Sequence, residues 1–236
     1  MNDFWESVQN KISFKAFAKK GEIEVALSQI LPNDVAYKVD FDACDNTITI
    51  DFSNKSDLDK RSLIKEVFTA LDGYIYADEV VTLGEYCIKL LRFTSKKLGI
   101  AESLTGGMVA NALISVSGAS EAVNESLVCY SNSAKMLNLD VQPSTLAVFT
   151  AVSEETAYEM VKGVLQHPYN DYAVSTTGYA ENYGEQNGGT VYVGIGDKGR
   201  IDVHKYQFLG DRQEVRRSAT NAVLFHLAKK LKGSFN

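Results

Sequence analysis

Apolar residues recur at helix-like and strand-like intervals through the first third of the 236-residue chain. Over residues 22–31, Ile23 and Leu27 fall on one face of a predicted helix, which Pro32 ends. Two strands, a second amphipathic helix and a short extended piece follow, at residues 35–42, 46–52, 61–71 and 74–78. We therefore predict a small α+β domain over residues 1–80.

From residue 81 onward, apolar runs alternate with amphipathic stretches. The apolar runs predict strands at residues 96–101, 126–130, 172–177, 189–196 and 201–209. The amphipathic stretches predict helices at residues 83–98, 108–116, 134–139, 153–166 and 211–232. Asp211 and Glu214 form a capping box at the start of the last helix. This alternation is typical of an α/β fold, here a layered α/β/α domain over residues 81–236.

Net charge and composition narrow the function classes. The formal net charge of −6 argues against a general binder of nucleic acid or of an anionic membrane surface. The first twenty residues contain acids and lysines and no apolar leader segment. The longest uncharged run, residues 103–120, is too polar to span a membrane. We therefore expect a cytoplasmic protein with no membrane partner.

Cysteine and histidine residues are few and scattered. The chain has three cysteines, Cys44, Cys87 and Cys129, and three histidines, His167, His204 and His226. The cysteines form no Cys-x-x-Cys pair, and no two histidines have the spacing of metal ligands. We therefore predict reduced thiols, no metal site and no cofactor.

The segment AESLTGG, residues 101–107, lies between a predicted strand and a predicted helix. The first N–H groups of a helix lack internal partners and attract negative charge. Gly106 and Gly107 would let a ligand approach the backbone closely. Ser103 could then attack a carbonyl group while nearby N–H groups stabilise the oxyanion. The pattern by itself favours a different interpretation, a plain capped helix with a glycine-rich first turn.

A nucleophilic serine needs a base, and none of the three histidines lies in an obvious motif. Lys135, in the segment YSNSAK over residues 130–135, is the candidate. A lysine acts as a base near neutral pH only when burial or nearby positive groups lower its pKa. Tyr130 could share a proton with Lys135 or orient it. Without further information, the segment by itself favours a different interpretation, a surface lysine beside a core tyrosine.

Two further segments could contact a ligand. Thr177 and Gly178 end a predicted strand, and ligands of layered α/β sheets gather beyond the carboxyl ends of strands. A strand-end turn is an equally natural explanation. Arg212 opens the last helix, and its guanidinium can grip phosphate or carboxylate. It could equally be a solvated first-turn charge.

Six collinear stretches resemble the C-terminal domain of the competence/damage-inducible CinA family. They are AESLTGG (101–107), YSNSAK (130–135), AVSEETA (151–157), YAVSTTGYA (172–180), GGTVYVGI (188–195) and GDRQEVRRSATNAVL (210–224). In standalone form this domain is a nicotinamide mononucleotide deamidase. The resemblance implies a serine amidohydrolase that converts nicotinamide mononucleotide into nicotinic acid mononucleotide and ammonia.

The resemblance also implies roles for single residues. Ser103 would be the nucleophile, Lys135 the general base and Tyr130 the partner of Lys135. The implied substrate-binding residues are Thr105, Gly106, Gly107, Thr177, Gly178 and Arg212. Thr105 and the two glycines after it would frame the reacting carboxamide.

Two departures from the family pattern concern substrate recognition. The family loop after Thr-Gly is similar to IAGPGGG, whereas residues 179–188 here read YAENYGEQNG and add Glu181 and Glu185. If this loop meets the substrate phosphate, the added negative charge would oppose binding. In addition, Phe149 and Thr150 stand where the family tends to have His-Gly, and this bulk could reshape the pocket floor.

The N-terminal part is similar to the small KH-like domain that precedes the deamidase in full-length members. The similarity rests on the helix–strand–strand–helix order of residues 22–71 and on LDGYIYAD, residues 71–78. This segment has no GXXG loop, so RNA binding is not expected. The family's larger nucleotide-processing domain has no counterpart in the sequence, so pyrophosphatase activity is not expected either.

The sequence therefore predicts deamidation of nicotinamide mononucleotide by a serine–lysine mechanism. Two alternatives stay open. The loop changes favour an amidohydrolase with a shifted substrate, or a catalytically inactive, CinA-like nucleotide-binding or scaffolding protein. The expected partner is a small nucleotide substrate rather than nucleic acid. We also expect a homo-oligomer, because Tyr and Phe are frequent enough to form an apolar interface and most soluble oligomers are symmetric homo-oligomers.

Overall fold

The computed structural model describes residues 10–53, 59–182 and 187–233. The chain forms two compact units, Met1–Val81 and Thr82–Asn236. Within the described ranges, no helix is both long enough and apolar enough to cross a membrane.

The N-terminal unit is a four-stranded antiparallel sheet with two helices. Its elements are β1 Lys11–Phe17, α1 Lys20–Ile30, β2 Ala36–Asp42, β3 Asp45–Asp51, α2 Lys60–Ala70 and β4 Ile75–Ala77. The strands lie in the order β2-β3-β1-β4, and each neighbouring pair is antiparallel. This β-α-β-β-α-β order is that of the split βαβ motif. The KH-like assignment stays a prediction.

Strand β1 is central in this sheet, although the sequence analysis predicted no element for residues 11–17. Ile12, Phe14 and Ala16 alternate with polar residues, as expected when one face of a strand is buried. They pack in one apolar cluster with residues of both helices, including Leu27 and Val67. The helices thus cover one face of the sheet.

The C-terminal unit alternates strands and helices. Its elements are α3 Leu83–Phe93, β5 Leu98–Glu102, α4 Met108–Ile114, β6 Val123–Val128, α5 Asn132–Leu139, α6 Pro143–Phe149, α7 Glu154–Leu165, β7 Tyr172–Gly178, β8 Thr190–Asp197, β9 Ile201–Gln207 and α8 Arg212–Gly233. Helix α6 was not predicted. The other predicted elements are present, and their ends agree with the prediction or shift by at most five residues.

The five-stranded sheet of this unit has the order β6-β5-β7-β8-β9. Strands β6, β5 and β7 are parallel, whereas β8 and β9 continue the sheet antiparallel. Consecutive residues of β7 show the two covered faces. The Ser175 hydroxyl donates to the Ala157 carbonyl of α7, and the Thr176 hydroxyl contacts Thr105, which precedes α4. The predicted α/β/α layering is confirmed.

Helix α3 ends earlier than the predicted stretch 83–98 because a Schellman motif closes it. The Lys96 N–H donates to the Leu91 carbonyl, and the Ser95 N–H donates to the Arg92 carbonyl. Ser95 adopts φ 54°, the left-handed conformation that glycine normally supplies at this position.

Replacing Ser95 with glycine should therefore stabilise the C-terminal unit. Ser95 is exposed, so the change removes left-handed strain and loses no packing. We expect a gain of about 1 kcal/mol in the free energy of unfolding, measured by urea denaturation. Ser95→Ala keeps the strained backbone and is the control. Equal stabilities of the two variants would contradict the prediction.

Candidate active site

The carboxyl ends of the three parallel strands meet at one edge of the sheet in the C-terminal unit. Ser103 directly follows β5, Cys129 and Tyr130 follow β6, and Gly178 ends β7. Parallel strands bring such residues together although they lie far apart in sequence. This edge is where layered α/β domains place their ligands.

A cavity of about 270 Å³ opens at this edge. Its lining includes Ser103, Leu104, Tyr130, Lys135, Ala151, Val152, Thr177, Gly178, Tyr179, Ala180, Glu181 and Arg212. Six of the nine site residues predicted from the sequence belong to this set. They are Ser103, Tyr130, Lys135, Thr177, Gly178 and Arg212.

Ser103 and Lys135 are in direct contact. The Lys135 Nζ lies 2.9 Å from the Ser103 Oγ and 2.9 Å from the Cys129 carbonyl oxygen, to which it donates. The exposed fractions are 8% for Ser103 and 1% for Lys135. The hydroxyl therefore lies at the base of the cavity, and the amine lies behind it.

Helix α5 carries Lys135 in its first turn. The Ser131 hydroxyl caps this helix by accepting the Ala134 N–H at 3.1 Å. Helix α5 packs against α7, where Gly163 makes close approach possible. A Cβ atom at Gly163 would overlap the Leu139 carbonyl oxygen at the end of α5. The cap and the close packing together hold the amine at Ser103.

Burial lowers the pKa of Lys135 below its ordinary value, because the charged ammonium form loses hydration. Burial also raises the pKa of the neighbouring Cys129 thiol, which keeps that group neutral. In the described part of the chain, Lys135 has no carboxylate at ion-pair distance that would restore its charge. The pair can therefore act as a hydroxyl nucleophile with an amine base.

The side chain of Glu102, the last residue of β5, lies at the start of helix α4. Its buried carboxylate accepts the N–H groups of Gly107, Val109 and Ala110 at 2.9, 3.1 and 2.9 Å. The prediction that these N–H groups stabilise an oxyanion is therefore wrong for these three. The backbone N–H of Leu104, next to Ser103, has no acceptor among the described residues. It is the candidate oxyanion donor.

Thr105, Gly106 and Gly107 shape the turn after Ser103 and do not line the cavity. The Thr105 hydroxyl is buried at 2.6 Å from that of Thr176. The two glycines have φ 57° and φ 98°, in the left-handed region that glycine tolerates. Thr105 and the two glycines thus have a structural role in this turn, and their contact with the carboxamide stays a prediction.

Arg216 of α8 fixes the same turn. Its guanidinium donates to the Leu104 and Thr105 carbonyl oxygens at 2.9 and 2.8 Å. Sequence reasoning missed this residue, because an arginine on an amphipathic helix carries no signal of a loop 111 residues away. The turn that presents Ser103 is therefore held from outside by α8.

Tyr130 does not orient Lys135, contrary to the prediction. Its side chain is exposed, and its hydroxyl accepts a hydrogen bond from Arg212 at 3.1 Å. The Cys129 carbonyl holds Lys135 instead. Arg212 also donates to the Glu181 carboxylate at 2.8 Å. The side chains of Tyr130, Arg212 and Glu181 are therefore connected by hydrogen bonds across the cavity mouth.

Thr177 lines the cavity with its hydroxyl already engaged. The Thr177 hydroxyl donates to the Ala151 carbonyl at 2.6 Å, and the residue is buried. This bond joins β7 to the segment before α7. Its oxygen keeps acceptor capacity for a ligand amide N–H group. No group of three or more His, Cys, Asp or Glu side chains in the described ranges could hold a metal ion.

The C-terminal unit matches a known protein family. A family model described as the CinA C-terminal domain matches residues 81–231. A CinA-like protein of Kosmotoga olearia is 38% identical over 170 residues, which cover 71% of this chain and 41% of that protein. A competence-damage inducible protein of Clostridium novyi is 36% identical over 222 residues, covering 89% of this chain and 54% of that one. The chain spans about half the length of the curated relatives it matches.

Solved structures match the C-terminal part. A CinA superfamily protein of Klebsiella pneumoniae aligns with a TM-score of 0.62 at 32% identity, covering 64% of this chain and 96% of that one. A CinA superfamily protein of Enterobacter cloacae aligns with a TM-score of 0.61 at 34% identity, covering 65% and 95%. The fold of the C-terminal part thus accounts for nearly the whole of each of those two chains.

Proposed function

The chain belongs to the CinA C-terminal domain family, and on this premise we propose that it hydrolyses the carboxamide of nicotinamide mononucleotide to nicotinic acid mononucleotide and ammonia. One observation carries the proposal. The Ser103 hydroxyl lies in a cavity 2.9 Å from the buried amine of Lys135. A buried amine beside a hydroxyl is what a serine nucleophile without histidine requires.

The first half of the reaction forms an acyl-enzyme. The Ser103 Oγ attacks the carboxamide carbon, and its proton passes to the neutral Lys135 amine. The carbonyl oxygen becomes an oxyanion, which the Leu104 N–H stabilises. The resulting Lys135 ammonium then protonates the amide nitrogen. The C–N bond breaks, ammonia leaves, and an ester joins the acyl group to Ser103.

The second half regenerates the enzyme. A water molecule attacks the ester carbon and gives a proton to the neutral Lys135 amine. The C–O bond to Ser103 breaks, and Lys135 returns the proton to the serine oxygen. The product leaves as a carboxylic acid. The Cys129 carbonyl keeps the amine in place throughout, because it accepts a hydrogen bond in both protonation states.

We also propose that the protein works in the cytoplasm. Its three cysteines are buried and form no disulfide in the described residues. Reduced thiols fit a reducing compartment better than an oxidising one. A fluorescent fusion imaged with a periplasmic marker would test the location, and overlap with that marker would contradict the proposal.

The function is tested by incubating the purified full chain with nicotinamide mononucleotide. Ammonia release and chromatographic detection of nicotinic acid mononucleotide in equal amounts would support the proposal. A Ser103→Ala preparation, purified in parallel, corrects for contaminating amidases. Equal ammonia release by both preparations would contradict the proposal. So would a wild type that releases no ammonia from nicotinamide mononucleotide or from other carboxamides.

A further inference from the structure

Arg212 is the cationic side chain at the mouth of the cavity, and it is already engaged. Its Nη1 donates to the Glu181 Oε1 at 2.8 Å, and its Nη2 donates to the Tyr130 hydroxyl at 3.1 Å. Glu181 is the acidic side chain in the described lining, and Lys135 is the other basic one. An anionic ligand that sought Arg212 would compete with a carboxylate of the chain itself.

Within the described lining, the net charge of the cavity depends on Glu181. When Lys135 is neutral, as its role as a base requires, Arg212 contributes +1 and Glu181 contributes −1. A phosphate dianion at the mouth would meet a net charge near zero and a carboxylate within reach of the same guanidinium. Like charges at such separations repel each other.

We propose that Glu181 is a specificity-determining residue that directs the site toward carboxamides without a phosphate group. It holds Arg212 in an internal ion pair, so the nucleoside form of the substrate is preferred to the nucleoside monophosphate. This inference rests on the proposed amide hydrolysis. It concerns the part of the substrate that lies at the mouth, away from Ser103.

The expected effect is moderate because the ion pair is accessible to water. The side chains of Arg212 and Glu181 are 44% and 65% exposed, so solvent screens their interaction. We expect the loss of the Glu181 charge to change relative specificity by about twofold to fivefold, the range typical of exposed charges. Raising the salt concentration should reduce the difference.

The test compares Glu181→Gln with a matched control. Glu121→Gln removes a carboxylate from an ion pair with Arg92 at 3.0 Å, and those side chains are 44% and 64% exposed. Both variants change the net charge equally, and only the first lies in the cavity. For each protein, kcat/KM is measured with nicotinamide mononucleotide and with nicotinamide riboside.

We expect the wild type to prefer the riboside. The ratio of kcat/KM for the mononucleotide to that for the riboside should rise about twofold to fivefold in Glu181→Gln and stay constant in Glu121→Gln. An unchanged ratio in Glu181→Gln, an equal rise in Glu121→Gln, or a wild-type preference for the mononucleotide would overturn the inference.

The inference and the proposed function fail in different ways. If the wild type hydrolyses neither compound, the proposed function fails. Calorimetric binding of the same two compounds to the wild type and to Glu181→Gln then tests the charge preference separately. A gain in mononucleotide affinity on loss of the Glu181 charge would support the preference. Equal affinities or no binding of either compound would overturn it.

Discussion

Replacing Lys135 with methionine should lower kcat for carboxamide hydrolysis about a thousandfold. Methionine has a similar length and no ionisable group, so the Ser103 hydroxyl loses the base that accepts its proton. Loss of a positioned general base costs a factor of about 10² to 10⁴. Ammonia release under saturating substrate measures the effect, and circular dichroism checks that the variant is folded.

The pH dependence follows from the burial of Lys135. Only the neutral amine can accept a proton, and its fraction grows as pH rises through the lysine pKa. Because burial lowers that pKa, kcat/KM should rise with pH and reach a plateau below the pH at which an exposed lysine titrates. Lys135→Arg keeps the positive charge at all accessible pH values. It should stay inactive where the wild type has reached its plateau.

An exposed lysine supplies the control for these variants. Lys162→Met removes a surface amine from α7, and its activity should match that of the wild type. Turnover by Lys135→Met within tenfold of the wild type would show that another group accepts the Ser103 proton. A plateau that begins only where exposed lysines titrate would contradict the effect of burial.

Local signals explain why most of the C-terminal unit could be predicted. A capping box depends on residues three positions apart, and the structure contains it. The Asp211 carboxylate accepts the Glu214 N–H at 2.9 Å, and the Glu214 carboxylate accepts the Asp211 N–H at 2.8 Å. The Ser153 hydroxyl likewise caps α7 by accepting the Thr156 N–H at 3.1 Å. Such signals fix where helices begin.

Strand β1 was missed because its stability depends on distant partners. Lys15 makes the segment look polar, yet it is 7% exposed in the structure. Its amine lies 3.0 Å from the Asp45 carboxylate and 3.1 Å from the Thr47 hydroxyl, both on β3. Burial of a charge is tolerable only with such partners. A residue 30 positions away cannot be identified from local spacing.

In the site, too, some features could be predicted from the sequence, whereas others depend on distant contacts. Ser103 and Lys135 follow parallel strands, so fold class alone brings them to one edge of the sheet. The role predicted for Tyr130 failed because side-chain direction after a strand depends on loop geometry. Cys129 acts through its carbonyl oxygen, which every residue type has, so its identity carries no signal. The direction of the Tyr130 side chain and the role of the Cys129 carbonyl oxygen therefore could not be predicted from residue types.

Replacing Glu102 with alanine should destabilise the C-terminal unit by about 3 to 5 kcal/mol. The change leaves the N–H groups of Gly107, Val109 and Ala110, at the start of α4, without the acceptor they have in the folded protein, and breaking a buried, charged network has costs of this size. Activity should fall as well. The Glu102 carboxylate binds N–H groups of the turn that presents Ser103, and its loss should loosen that turn. Urea denaturation measures the stability.

Two variants distinguish the stabilising effect of the buried Glu102 carboxylate from that of an ordinary helix cap. Glu85→Ala removes an exposed capping carboxylate, whose oxygen accepts the Thr82 N–H at 2.8 Å, and should cost about 1 kcal/mol. Glu102→Gln keeps the shape but turns an amide NH₂ group toward N–H donors, so its stability should lie between those of the wild type and Glu102→Ala. If Glu102→Ala were no less stable than Glu85→Ala, the carboxylate would not hold the turn that presents Ser103.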